Sequence, residues 1–279
     1  MSNKIIVAFS TDNTIFKRTY ISLLSILKNS KSFVECYILY SRITDSELEF
    51  FSKLEEEYSN LKIHLKQFES SIITKYPVFN YINMTYWFKF WFADMFPDVD
   101  KVLYLDETII AQDDLFKLYS INLDGFYMAA AASPWGHNQL ENLNLKNKYY
   151  FARRVFLINC QKWREDKILD NLISNCLESS SLVTSDGELA VINKFLGNKI
   201  YRLDCKYNYM EPWGNIKVQY PPKVMAEYYK AKNKPIIINF VGPFPEYNTC
   251  HHSKKKIWWK YTKMSPFKIE ELQSYKLSA

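Results

Sequence analysis

The first 67 residues alternate between short apolar runs and amphipathic segments, and that alternation restricts the chain more than any other feature. Lys4 to Ser10 is an apolar run ending in the polar sequence Ser-Thr-Asp-Asn, and Tyr20 to Leu27 has helical apolar spacing. Phe33 to Tyr40 repeats the strand signal. Thr44 with Glu47 has the form of a capping box ahead of a helix over Ser46 to Tyr58, and Leu61 to Gln67 is a third strand. Strand-helix-strand repetition of this kind predicts a mainly parallel sheet covered by helices.

Further along, Tyr86 to Met95 reads as an aromatic helix, and Lys101 to Leu105 as a buried strand ending at Asp106 and Glu107. Carboxylates at a strand's carboxyl end stand where open α/β sheets bind ligands. Tyr127 to Ala132, Val155 to Asn159 and Lys199 to Leu203 are further strands, with helices over Gln161 to Cys176 and Asp186 to Phe195. Pro212 to Pro222 and Gly242 to Thr249 are loop-rich, and Lys254 to Met264 forms a terminal helix before Pro266. At 279 residues the chain can bury one full core, and one large domain is expected.

Composition narrows the function classes. The five cysteines are widely spaced with no C-x-x-C pair, which predicts reduced thiols and no structural zinc site. No apolar run reaches membrane-spanning length and the start lacks a signal-peptide pattern, so a cytosolic protein is expected. A net charge of +6 favours anionic partners. The basic residues are spread out and no nucleic-acid motif occurs, so nucleic acid is not expected among those partners.

The stretch Phe96-Pro97-Asp98-Val99-Asp100-Lys101-Val102-Leu103-Tyr104-Leu105-Asp106 resembles the segment preceding the Asp-x-Asp motif of family 8 glycosyltransferases, the retaining galactosyl- and glucosyltransferases of bacterial lipooligosaccharides and their relatives. The likeness continues through Phe9 to Asn13, Val155 to Arg164, Ser185 to Glu188, Tyr207 to Met210, and Gly242-Pro243 followed by IWWKYTKMSPF. These landmarks keep the family's order over nearly the whole chain. The resemblance implies a GT-A-like fold over residues 1–250 with a basic, aromatic tail over 251–279. It also implies transfer of glucose or galactose from a UDP-sugar to a glycan acceptor, with retention.

In the family, two aspartates and a histidine hold Mn²⁺, which neutralises the departing pyrophosphate. Here the motif reads Asp106-Glu107-Thr108, and Asn239 stands at the histidine position. Asp106 remains as a metal ligand, but Thr108 and Asn239 are neutral oxygen donors, so Mn²⁺ is expected to be bound weakly or not at all. Glu107 and the pair His251 and His252 are the nearby substitutes. The family's Lys-Pro-Trp is replaced by Phe244-Pro245-Glu246.

Ala152-Arg153-Arg154 brings two guanidinium groups where relatives have an Asn and small residues. Paired arginines either clamp a diphosphate without metal or fill the pocket. The family's Asp-Gln-Asp appears as Asp186-Gly187-Glu188. Asp186 is thus implied to hold sugar hydroxyls, and Glu188 is the nearest nucleophile or charge stabiliser; its alternative is a helix-terminal carboxylate. Asp12 matches the aspartate that accepts the uracil N–H, Asn13 follows it, and Lys89 replaces an arginine of the phosphate grip. Gly242 completes the expected nucleotide-sugar set.

Two readings of function stand side by side: an active transferase with Arg153, Arg154 and Lys89 sharing the phosphate charge, and a non-catalytic relative serving as a nucleotide- or glycan-binding partner. Lys254 to Lys260 mixes basic and aromatic residues in a way that suits the inner face of an anionic membrane, where a lipid-linked acceptor would be presented, or else packs its Trp rings on the domain.

Overall fold

Strand β1 (Lys4–Asp12) is followed by helix α1 (Phe16–Asn29), β2 (Phe33–Ser41), helix α2 (Asp45–Glu57) and β3 (Leu61–Gln67), as the alternation predicts. The structure is a computed structural model that describes residues 3–69, 71–72, 84–178, 180–212, 217–247 and 249–268, with backbone alone for 180–185. Part of the 212–222 loop and the tail beyond 268 lie outside the described residues. Helix α2 begins at the anticipated capping box: Glu47 N donates to Thr44 Oγ1 and Thr44 N to the Glu47 carboxylate.

The main sheet adds β4 (Lys101–Leu105), β6 (Met128–Ala131), β7 (Val155–Asn159) and β8 (Ile200–Leu203) in the order β3-β2-β1-β4-β7-β6-β8. Its strands pair in parallel except for β7, which runs antiparallel to both β4 and β6. A small second sheet, order β5-β10-β9, joins β5 (Ile109–Ala111), β10 (Ile237–Asn239) and β9 (Tyr209–Met210). These strands of two or three residues carry no periodicity long enough to be read in the sequence.

Apolar residues on both faces of the main sheet build two cores, which is why its central strands are continuously apolar rather than alternating. Helix α1 meets the small sheet through polar atoms. Ser22 Oγ donates to the carbonyls of Glu107 and Ile109, and Ser25 Oγ accepts the Ala111 N–H at 2.9 Å. The serines thereby satisfy the unpaired edge of β5.

Three helices differ from expectation. Over Tyr86 to Met95 the chain forms a 3₁₀ helix, Met84–Phe90, then one short α turn, Phe92–Met95. Trp87, Phe88, Phe90 and Phe92 are all buried, and bulky aromatics buried on every side favour the tighter winding over one amphipathic face. Gln161 to Cys176 splits into Cys160–Glu165 and Ile168–Glu178, with Lys167 at φ +50° between them. The helix at 186 is part of a longer run, Ser180–Leu196, broken at Asp186 and Gly187. A helix over Pro222–Asn233, unread in the sequence, starts with proline in its first turn.

The last described helix, Lys255–Thr262, packs on the body of the molecule. Trp258 is fully buried with Ile21, Ile110, Ile238, Phe240 and Tyr261, and Tyr261 Oη accepts from Asn29 Nδ2 at 2.8 Å. Trp259 is only partly buried. No helix among the described residues is long and apolar enough to cross a membrane.

Candidate functional site

Strand β4 ends at Leu105 opposite Phe9 of its parallel neighbour β1, so Asp106, just after β4, and Asp12, which closes β1, both stand at the carboxyl edge, where such sheets place ligands. Because β7 runs antiparallel to β4, with Leu105 opposite Val155, the residues leading into β7 meet the residues leaving β4. Asp106 N donates to the Arg154 carbonyl at 3.1 Å, and this register brings Arg153 and Arg154 to the carboxylates. Arg154 takes φ +87°, a conformation that costs a non-glycine residue about 1–3 kcal/mol and persists only where the surroundings hold it.

Thr108 and Asn239 meet for a similar reason. In the small sheet Asn239 pairs with Ile109, and Phe240 N donates to the Thr108 carbonyl. Thr108 Oγ1 donates to Asn239 Oδ1 at 3.4 Å, Asn239 Nδ2 to Asn208 Oδ1 at 2.8 Å, and Asn208 Nδ2 to the Arg153 carbonyl at 3.0 Å. Into this chain Arg154 donates Nη1 to Thr108 Oγ1 at 2.7 Å, with Glu107 Oε1 3.8 Å from the same nitrogen. Burial raises the Glu107 carboxyl above its usual range, against the pull of Arg154.

These donors do not fit a divalent ion. Thr108 Oγ1 is bound to a guanidinium, and Asn239 is committed through both its oxygen and its nitrogen. Of the family's ligand positions only Asp106 is left to offer, its buried Oδ2 having no hydrogen-bond partner among the described residues, and the neighbouring Glu107 carboxylate lies beside the Arg154 guanidinium. The fixed charge of Arg154 stands against a dication in the same place. No group of three or more His, Cys, Asp or Glu suited to a metal occurs among the described residues. Of the histidines weighed as substitutes, His251 is exposed, whereas His252 is buried with its ring 4.6 Å from Phe240.

Asp186, Glu188, Lys89 and Arg153 form one charge network, with Glu188 and Lys89 buried and Asp186 and Arg153 half-buried. Arg153 Nη2 donates to the Asp186 carbonyl and to its Oδ1, both at 3.0 Å, and its Nε lies 3.4 Å from Glu188 Oε1. Tyr150 Oη donates to Asp186 Oδ2 at 2.6 Å. Burial is the largest influence on Asp186 and lifts its carboxyl above the ordinary range, with Arg153 and Tyr150 opposing. Gly187 adopts φ +58°, ψ −140°, a region open only to glycine, and the turn sends the next side chain inward. Glu188 is accordingly fully buried, with Oε1 3.3 Å from Lys89 Nζ, and Lys89 also donates to the Tyr86 carbonyl at 2.5 Å. The Tyr86 ring lies under both guanidinium groups, 5.7 Å from that of Arg153 and 5.9 Å from that of Arg154, and burial pushes its hydroxyl up to about 12.

Asp12 is buried at the end of β1. Its Oδ1 accepts from Thr14 N at 2.9 Å and Thr14 Oγ1 at 2.6 Å, with Arg42 Nη2 3.6 Å from Oδ2. Asn13 is exposed beside it. Gly242, at φ +86°, turns the chain out of β10 into the 242–250 loop. That loop is held by a buried ion pair: Arg18 Nε donates to Glu246 Oε1 at 2.5 Å while the guanidinium lies 3.8 Å from the Phe244 ring centroid.

A cleft of 220 Å³ opens over this assembly, bordered by Arg153, Arg154, Asp186 and Asn239 and by the apolar side chains of Trp135 and Leu189. Asp186 faces the cleft, whereas Lys89 and Glu188 lie behind its wall. Of the residues expected from the sequence, Asp106, Arg153, Arg154, Asp186 and Asn239 are thus drawn into one charged cluster. Tyr150, Tyr86 and the Arg18–Glu246 pair were not anticipated, since their roles depend on contacts 36 to 228 residues apart in sequence.

A mainly parallel sheet with acidic and basic groups gathered at its carboxyl edge places the chain among the open α/β proteins, which bind their ligands at that edge. Comparison with known proteins resolves the class further: the profile described as glycosyl transferase family 8 matches residues 6–244, and the chain belongs to that family. Among curated relatives, glycosyltransferase GlyF of Streptococcus pneumoniae is 24% identical over 91% of this chain and 60% of its own length. A putative glycosyltransferase of Haemophilus influenzae is 22% identical over 73% of this chain and 62% of its own length. The chain therefore spans about three-fifths of these relatives. The galactosyltransferase LgtC, solved with donor and acceptor sugar analogues, superposes with a TM-score of 0.79 over 98% of this chain and all of its own, at 17% identity. GlyE of S. pneumoniae gives 0.69 over 97% of this chain and 62% of its own, at 21% identity. The superpositions bear out the GT-A-like fold expected from the sequence.

Proposed function

We propose that the chain is a hexosyltransferase that moves glucose or galactose from a UDP-sugar to a glycan acceptor such as a surface polysaccharide, with retention at the anomeric carbon. The observation carrying this reading is the cleft itself, in which Asp186 and the two arginines converge at the carboxyl edge of the sheet of a family 8 fold. In the reaction the bond from the anomeric carbon to the β-phosphate oxygen breaks and its electron pair leaves with UDP. The acceptor hydroxyl oxygen bonds to that carbon, and its proton is released.

The residues divide the work by position. Asp186, held by Tyr150 and Arg153, offers its carboxylate to the sugar hydroxyls on the cleft wall. Asp12, at the end of β1, is assigned the base N–H, which it would accept beside its bonds from Thr14. Glu188 is fully buried between Lys89 and Arg153, so it serves to hold those cations and reaches the reacting carbon only if the wall opens. Mn²⁺, the family's cofactor, has no step here, because the donor set does not fit it.

A second reading, a non-catalytic relative that keeps a nucleotide or glycan site, is favoured by Gly187, which presents no side chain where the family has Gln, and by the burial of Glu188. The readings separate when UDP-glucose and UDP-galactose are incubated with the purified chain in EDTA and again with Mn²⁺. Release of UDP, with the product's anomeric configuration followed by NMR, supports the transferase. Tight UDP binding without turnover of either donor, even with a panel of glycan acceptors, supports the partner.

The tail enters the proposal as the surface facing a lipid-linked acceptor. Lys256, Trp259, Lys260, Lys263 and Met264 line one shallow groove, and Met264 is exposed. A basic rim around partly exposed apolar groups suits the inner face of an anionic membrane.

A further inference from the structure

We infer that Arg154 takes the place of the divalent ion, a fixed guanidinium that neutralises the departing diphosphate and makes nucleotide binding independent of metal. The inference rests on the UDP-sugar reading above and adds which group carries the phosphate charge. The sequence offers Arg153, Arg154 and Lys89 on equal terms, and the structure separates them. Lys89 is sealed in with Glu188 and the Tyr86 carbonyl. Arg153 is spent on Asp186 and Glu188, whose two charges it balances together with Lys89.

Arg154 differs from both. Its Nη1 bonds the neutral hydroxyl of Thr108, at the site of the family's second carboxylate, and its remaining ion-pair contact, to Glu107, is loose at 3.8 Å. It borders the cleft, and the Tyr86 ring backs it from below. The positive φ at Arg154 is a second, independent observation, since a backbone held in this region places the side chain at some local cost. Exchange of Asp for Thr108 and of His for Asn239 removes the groups that would hold a dication, and the same two residues now anchor and border the guanidinium. A planar fork carrying several N–H donors can bridge two phosphate oxygens, as an ion would.

The test is calorimetric titration of the whole chain with uridine and with UDP, in EDTA and again in saturating Mn²⁺. The expected result is that UDP binds at least about tenfold more tightly than uridine in EDTA, and that Mn²⁺ changes the UDP affinity by less than about twofold. Charge-assisted hydrogen bonds of this kind correspond to about 10- to 100-fold in affinity. Arg154→Gln, which retains a donor for Thr108, should therefore bring UDP down toward the uridine level while leaving uridine unchanged, and Arg154→Lys should fall between. Two results overturn the inference alone: a gain from the diphosphate that appears only with Mn²⁺, or a natively melting Arg154→Gln protein that keeps the full gain. If uridine and UDP both fail to bind, the UDP-sugar reading fails and takes the inference with it. If both variants misfold, the metal comparison on the unmodified chain still overturns the inference when the gain from the diphosphate requires Mn²⁺.

Discussion

Acidification from pH 7.5 to 5 is expected to weaken the fold through one side chain, His252. Its imidazole is buried against Phe240, its Nδ1 accepts the Lys254 N–H at 3.1 Å, and its Nε2 has no hydrogen-bond partner among the described residues. Burial is the main reason that its pKa is pushed down to about 4; Lys254 adds to the effect, and Glu211, 3.5 Å away, opposes it. The folded value lies below the unfolded one, so the unfolded chain binds the proton first. The stability that the neutral ring supplies is complete above about pH 6.5 and is lost as pH falls toward 4. At pH 5 an unfolded His is almost wholly protonated and the folded one only about a tenth, which corresponds to a loss of about 2 kcal/mol. For a chain of this size that is a fall of about 4–8 °C in melting temperature. Thermal melts of the wild type and of His252→Gln at several pH values isolate the contribution, because glutamine cannot titrate. Parallel decline of the two proteins between pH 7.5 and 5 would refute the reasoning.

Other perturbations probe separate layers of the structure. A Cβ at Gly136 would lie 2.7 Å from Tyr150 Cβ, so Gly136→Ala should cost about 1–3 kcal/mol and weaken UDP-sugar binding by displacing Tyr150 from Asp186; urea unfolding and calorimetry read the two effects. Trp258→Ala should destabilise by about 3–5 kcal/mol, seen as a lower urea midpoint, because the ring is fully enclosed where α1, the small sheet and the last helix meet. Joint reversal of Lys256, Lys260 and Lys263 to glutamate should abolish sedimentation with phosphatidylserine vesicles while leaving the melting temperature within about 2 °C, since exposed charges add little to stability.

The first half of the main sheet was readable because its signals are local. Runs such as Phe33 to Tyr40 are long enough to show a strand, and Thr44 with Glu47 marks a helix start without tertiary help. The likeness around Asp106 led to the fold as a whole. What escaped depends on partners distant in sequence. The strands at 109–111, 209–210 and 237–239 exist only because each completes another's hydrogen bonds. The aromatic stretch after Met84 has no polar face to betray its winding. In the site, Arg153 and Arg154 could be named together but not told apart, since their difference lies in which carboxylates each reaches. Glu188 looked available beside Asp186, and only the backbone turn at Gly187 sends it behind the wall.

The antiparallel course of β7 has a consequence for how such a site can change over generations. A strand entering this sheet in the parallel sense would begin at the far edge, away from the end of β4. Reversed, its first residues abut Asp106 from birth of the chain onward, joined by the bond from Asp106 N to the Arg154 carbonyl. Backbone contact between the two segments does not depend on their side chains. Acidic ligands could therefore be lost on one strand and a cation gained on the other by single substitutions, with neither step having to move the scaffold. The reversed strand makes the charge of the site an interchangeable part.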